Sequence, residues 1–253
     1  MKRALAVGSR EFRMFLTTPS AYVILSAFVA MAGIFFFGLV REFNSVIRRA
    51  AIMHDVIPSL NQTVVTPLLY TLAVLLLFII PLLTMRAFPE ERRNGTFELL
   101  AASTLGDGEI VIGKFIGVAL MVTMMIGLAA VFPAILIINS DPEAAPIAIG
   151  IFGLLLYSLS LTAVGLSFSS LCQSQVAAAL SALVFSTVLF VTHLFAANVA
   201  FPWSELLSGL SPANHLVGPI RGVLTAGDIA YFLSLTVIGI YAAWLSFRSE
   251  RRG

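Results

Sequence analysis

Apolar residues run along this chain in long blocks separated by short polar joins. A helix must be roughly 20 apolar residues long to cross about 30 Å of hydrocarbon. Six blocks approach or exceed that length: Ala21–Val40, Pro67–Phe88, Gly113–Ile138, Ile147–Leu171, Val176–Ala197 and Ile229–Phe247. None carries a charge in its middle; Arg86 and Lys114 stand near the ends of the second and third. Only Cys172, Gln173, Ser174 and Gln175 join the fourth and fifth blocks, which predicts a tight helical hairpin. The expected fold is an all-α membrane protein, residues 1–253 forming a single transmembrane domain.

Before the first block the period changes. Ala4, Leu5, Gly8, Phe12, Phe15 and Leu16 share one helical face, and Lys2, Arg3, Arg10, Glu11 and Arg13 share the other. This pattern predicts an N-terminal helix over 1–19 lying in the membrane interface. The charges at 10, 11 and 13 also separate it from a cleavable leader, whose apolar core follows its basic stretch at once. Between the first two blocks, Phe43, Val46, Ile47, Ala50, Ile57 and Leu60 recur at helical spacing, which predicts an outer amphipathic helix.

Composition agrees with the blocks. Charged residues make up 11% of 253 and hydrophobic residues 59%, with a mean hydropathy of +0.99. A soluble domain carries about 25% charged residues, so most of this surface faces something other than water. A formal charge of +2 is too small to suggest a nucleic-acid partner, and a single cysteine excludes an internal disulfide. Of the 15 Lys and Arg residues, only Arg41, Arg48, Arg49 and Arg221 fall on one side of a six-span topology. The other side, which holds both termini, is therefore expected to be cytoplasmic.

The join between spans two and three holds the most chemistry. Glu90, Glu91, Arg92 and Arg93 form a mixed-charge cluster, Asn94-Gly95 is a turn signal, and Thr96 can cap a helix with Glu98 in its first turn. A short helix, Phe97 to Ala102, would expose Phe97, Leu99 or Leu100 to a soluble partner, and Asp107 can cap the span that follows. Within the same stretch Gly108 to Lys114 has the spacing of a phosphate-binding loop. Phe115, however, stands where Ser or Thr must hold the metal ion.

Between spans five and six, Ser211-Pro212 reads as a helix start and Gly218-Pro219 as a break before Arg221. The segment is too short to cross, so 198–228 is expected to be an outer re-entrant region, with Arg221 and Gly222 near its turn. Ser158 and Thr162 share a face of span four with Gly165 and Ser169, which suits close helix packing or a lining of the pathway.

The strings Leu82-Leu83-Thr84-Met85-Arg86, Glu90-Glu91-Arg92-Arg93-Asn94-Gly95-Thr96-Phe97-Glu98-Leu99-Leu100 and Glu109-Ile110-Val111-Ile112-Gly113-Lys114-Phe115 resemble the permease subunits of type-2 ABC exporters. Within them the chain is most similar to the branch associated with gliding motility. Pro212-Ala-Asn-His-Leu, Arg221-Gly222-Val223-Leu224 and Asp228-Ile-Ala-Tyr231-Phe232-Leu233 extend the likeness over nearly the whole chain.

The resemblance implies that 89–108 is a cytoplasmic coupling loop. In it Glu91, Arg92, Arg93, Gly95, Thr96, Phe97, Glu98, Leu99 and Leu100 would dock an ABC ATPase subunit. It implies a second permease copy or a paralogous one, a location in the inner membrane of a prokaryote with membrane lipid around it, and room for an outer-side protein. No cofactor is expected in this chain; ATP and magnesium would sit on the ATPase, so this chain would not itself be an enzyme. Two other functions compete. One is a non-transporting scaffold that couples ATP hydrolysis to an outer machine or to cofactor assembly. The other is an ion-gradient-driven transporter, which ordinarily carries ionisable groups at mid-membrane.

Overall fold

The computed structural model describes residues 2–53, 59–95, 106–140, 142–196 and 203–252. Among them every regular element is helical. In chain order these are α1 (Lys2–Thr17), α2 (Pro19–Met53), a π-helical turn (Asn61–Val65), α3 (Thr66–Thr84), α4 (Pro89–Arg93) and α5 (Asp107–Ala129). There follow α6 (Val131–Ser140), α7 (Ala144–Leu171), α8 (Gln175–Ala196), α9 (Trp203–Leu210), α10 (Pro212–Ile220) and α11 (Ala226–Arg252). Six stretches are long and apolar enough to cross a membrane, namely Pro19–Ala50, Asn61–Arg93, Asp107–Asn139, Ala144–Leu171, Gln175–Phe195 and Ala226–Arg251.

α7 is the axis of the bundle. It packs against α11, α3, α10, α8 and α5. Its apolar residues are spread around the whole circumference, as expected of a helix surrounded by other helices. Small residues set the spacing. A Cβ built on Gly165 would stand 2.4 Å from Oγ1 of Thr84, and one on Gly239 would stand 2.7 Å from the backbone of Ala163. Lipid tails are as apolar as the side chains they surround, so burial against a neighbouring helix gains little and close packing at small residues contributes much of what holds membrane helices together. α2 and α11 lie at the periphery, with Phe35, Phe37, Val237 and Ile238 exposed.

Four local expectations change. From Phe43 to Ala50 the outer amphipathic helix is not a separate element, because α2 continues without a break to Met53; Ile57 lies outside the described residues. Nothing in the sequence from Val40 to Ala50 lacks a backbone N–H, so the span propagates past the membrane edge. The third span is interrupted at Ala130, where Pro133 cannot donate to the carbonyl of Ala129 four residues back. Asp107 is the first residue of α5 rather than its cap. Gly106 takes the cap position, and its N–H donates to Oε2 of Glu109 at 3.2 Å. Finally, α10 starts after Ser211 as expected but runs through Pro219 to Ile220. The chain then turns at Gly222, whose φ of +86° suits a residue without a side chain.

α1 packs along α5 through Ala4, Val7, Gly8 and Glu11. The contact is glycine-lined: a Cβ on Gly113 would lie 2.6 Å from Cβ of Val7, and one on Gly117 would lie 2.5 Å from Cβ of Glu11. Leu5 and Met14 remain exposed on the other sides of α1. Glu11, expected on the solvent face with the basic residues, is 5% exposed.

Candidate functional site: the charged base of the loop between spans two and three

The geometry begins at Lys114. Two turns into α5, it is 2% exposed, a position where a bare ammonium is too costly to keep. Its Nζ donates to Oε1 of Glu91 at 2.7 Å, to the Ala87 carbonyl, and to Oε1 of Glu11 at 3.4 Å. Arg10 completes the group, 3.2 Å from Glu11 and 3.8 Å from Glu91. Nζ also lies 5.2 Å from the centre of the Phe88 ring, within cation–π range. One lysine thus ties α1, α4 and α5 together.

Phe88 anchors the same turn from below. It is fully buried among Ile110, Val111, Leu166, Ala243 and Phe247, and its N–H donates to Oγ of Ser169 at 3.4 Å. Pro89 opens α4, where its missing N–H costs nothing.

Arg92 clamps the opposite side. It donates to the carbonyls of Ser170, at 2.6 Å, and Cys172, and it pairs with Glu250 near the end of α11. Arg251 in turn pairs with Asp107 at the start of α5 at 2.5 Å. The loop base is therefore cross-linked to the α7–α8 turn and to α11. Rotating or lifting α4 must load α1, α5 and α11 together.

Other expected residues fall as follows. Arg93 is exposed, and Gly95 is exposed with a φ of +68°, so the Asn94-Gly95 turn forms where its sequence signals it. Thr96, Phe97, Glu98, Leu99 and Leu100, with the helix expected to Ala102, lie outside the described residues. Ser158 and Thr162 are fully buried, and their hydroxyls donate to the carbonyls of Leu154 at 2.6 Å and Ser158 at 2.8 Å within α7.

Arg221 and Gly222 stand apart from the loop base, at the end of α10. Arg221 is exposed and borders a cavity of about 790 Å³ with Asn61 and Glu143. A Cβ on Gly222 would meet Pro146 at 2.5 Å, so the turn lies tight against the start of α7.

Sequence reasoning missed Lys114, Glu11, Glu250 and Arg251 as members of the site. One signal was available for Lys114: an ionisable residue at the head of an apolar run needs a partner.

The family model described as ABC-2 family transporter protein matches residues 58–248, most of the chain. No curated protein matches it.

Proposed function

The chain belongs to the ABC-2 transporter family, and on that premise we propose that it is half of the membrane domain of an ATP-driven exporter. Membership makes it a permease subunit of an ABC transporter, multi-pass in a membrane, with ATP hydrolysis on a cytoplasmic partner. Export, the docking helix, the orientation and the pathway are our reading.

The observation that carries it is the ion network under the loop between spans two and three. A loop that merely joined two spans would need no buried lysine shared by three helices. One that receives force from an ATPase needs a stiff attachment to the bundle, and Lys114, Glu91 and Arg92 supply it. In this reading the segment 96–102 docks on the ATPase, with Phe97, Leu99 and Leu100 as its apolar contacts and Arg93 and Glu98 beside them. Closure of two ATPases would pull α4, and α1, α5 and α11 would follow.

Tyr157, Ser158 and Thr162 are packed at the centre, and the two hydroxyls at 158 and 162 are satisfied within their own helix. That favours a conduit formed between two permease copies. It is also compatible with a scaffold that passes motion to an outer machine, the reading that the gliding-motility likeness would favour. Transport of a lipid-like substrate in reconstituted vesicles separates the two.

Docking is tested with Phe97→Asp and Leu100→Asp. Each puts a charge into an apolar contact, which typically costs several kcal/mol when it is desolvated and unpaired. Both variants should insert and remain monodisperse yet lose co-purification with the ATPase. Retention by both would reject this helix as the contact.

A further inference from the structure

We propose that the cavity between α1, α2, α3 and α4 holds the headgroup of an amine-bearing zwitterionic phospholipid, drawn from the leaflet on the N-terminal side of the bundle. The cavity measures about 640 Å³. It lies where the start of α2 (Ser20, Ala21, Ile24) meets the last turn of α3 (Leu82, Leu83), at the polar ends of these two spans.

Its charges balance in number but do not all pair. Arg10, Glu11, Arg86, Glu90, Glu91 and Lys114 line it. Lys114 and Arg10 are matched with Glu91 and Glu11. Arg86 and Glu90 are left, both half-buried, and neither makes an ion pair among the described residues. They are one turn apart, the N–H of Glu90 reaching the Arg86 carbonyl at 3.4 Å. Even so, they do not bridge each other. Nη1 of Arg86 instead crosses to Oγ of Ser20 at 2.9 Å.

A cation and an anion thus face the same space from neighbouring positions. A ligand that satisfies both carries its own anion and cation a few bonds apart. A phosphate accepts from the flat guanidinium in forked geometry, and a primary ammonium offers three hydrogens to a carboxylate. The other wall is apolar: Met14 and Leu82 are exposed beside Ile24 and Phe15, a surface for the first carbons of acyl chains. A choline headgroup cannot donate to Glu90, and a glycerol headgroup brings no charge to it.

The experiment is native mass spectrometry of the full chain released from nanodiscs of equimolar phosphatidylethanolamine, phosphatidylcholine and phosphatidylglycerol. The wild-type chain should retain phosphatidylethanolamine over each competitor by about tenfold, the scale of one charge-assisted contact. Arg86→Gln should lose retention of both phosphatidylethanolamine and phosphatidylglycerol, and Arg86→Lys should keep most of it. Glu90→Gln should still bind phospholipid but no longer distinguish the amine. Equal retention of the three lipids by the wild-type chain would overturn the proposal, and that comparison stands even if a variant fails to fold. So would displacement by excess water-soluble phosphoethanolamine, which would make the free headgroup the ligand. Loss of ATPase co-purification in Arg86→Gln with lipid retention unchanged would assign the two charges to a protein contact instead.

Discussion

Replacing Lys114 with Met keeps the length of the side chain and removes its charge, which isolates what the ion network contributes. The lysine side chain is 2% exposed, and those of its partners Glu11 and Glu91 are 7% and 15% exposed. The variant leaves two carboxylates side by side, with Arg10, 59% exposed, as the remaining cation of the group. Removing one partner from a buried ion pair costs about 3–5 kcal/mol. For a chain of this size each kcal/mol lowers Tm by roughly 2–4 °C, so the purified protein should melt roughly 6–20 °C lower.

Hydrogen exchange should locate the loss in α1 and α4, with α8 and α9 unchanged. The decisive comparison is the triple variant Lys114→Met/Glu11→Gln/Glu91→Gln. Exchanging a whole buried ion group for neutral residues is often close to neutral in stability, so the triple variant should recover most of the lost Tm. A single variant within about 2 °C of wild type, or a triple variant less stable than the single one, would refute the electrostatic account. α1 would then be held by its glycine-lined packing alone.

In a Cys172→Ser background, cysteines at Ser59 and Ala144 should react with impermeant thiol reagents added outside the cell, and cysteines at Asn94 and Ser249 should not; labelling of Asn94 from outside would reverse the orientation. Arg221→Leu should impair transport or outer coupling with ATPase docking intact, and Arg221→Lys should keep much of the activity if charge is what matters; wild-type activity in Arg221→Leu would make it an ordinary surface charge. His215 has Nδ1 2.9 Å from Oδ1 of Asp228 and Nε2 3.1 Å from the Gly209 carbonyl, and its ring stacks on Tyr231 at 4.1 Å. His215→Ala should therefore loosen α9 and α10 by about 1–3 kcal/mol, read as faster amide exchange over 203–220 with the Lys114 side unaffected.

What could be read along the chain is what depends on neighbours in sequence. Apolar runs of spanning length mark six helices because every backbone group in hydrocarbon must be satisfied within its own segment. The turn at Asn94-Gly95 and the helix start at Ser211-Pro212 are likewise decided within a few residues, and both occur where expected. The charge of Glu11 is different. By helical periodicity it belongs with Arg10 and Arg13 on a wet face, and only the approach of α5 gives it a lysine 103 positions away.

Arg92 makes the same point, since its partners Ser170 and Glu250 are 78 and 158 positions distant. No local pattern encodes such a pairing. For Glu11 and Lys114 it arises when glycines at 8, 113 and 117 let α1 and α5 approach closely enough to exclude water, leaving each buried charge to find its opposite. Sequence alone thus determined which segments are long and apolar enough to cross a membrane, and it marked the turn at Asn94-Gly95 and the helix start at Ser211-Pro212. Which charges could afterwards remain buried, and against which partners, was decided by the tertiary packing.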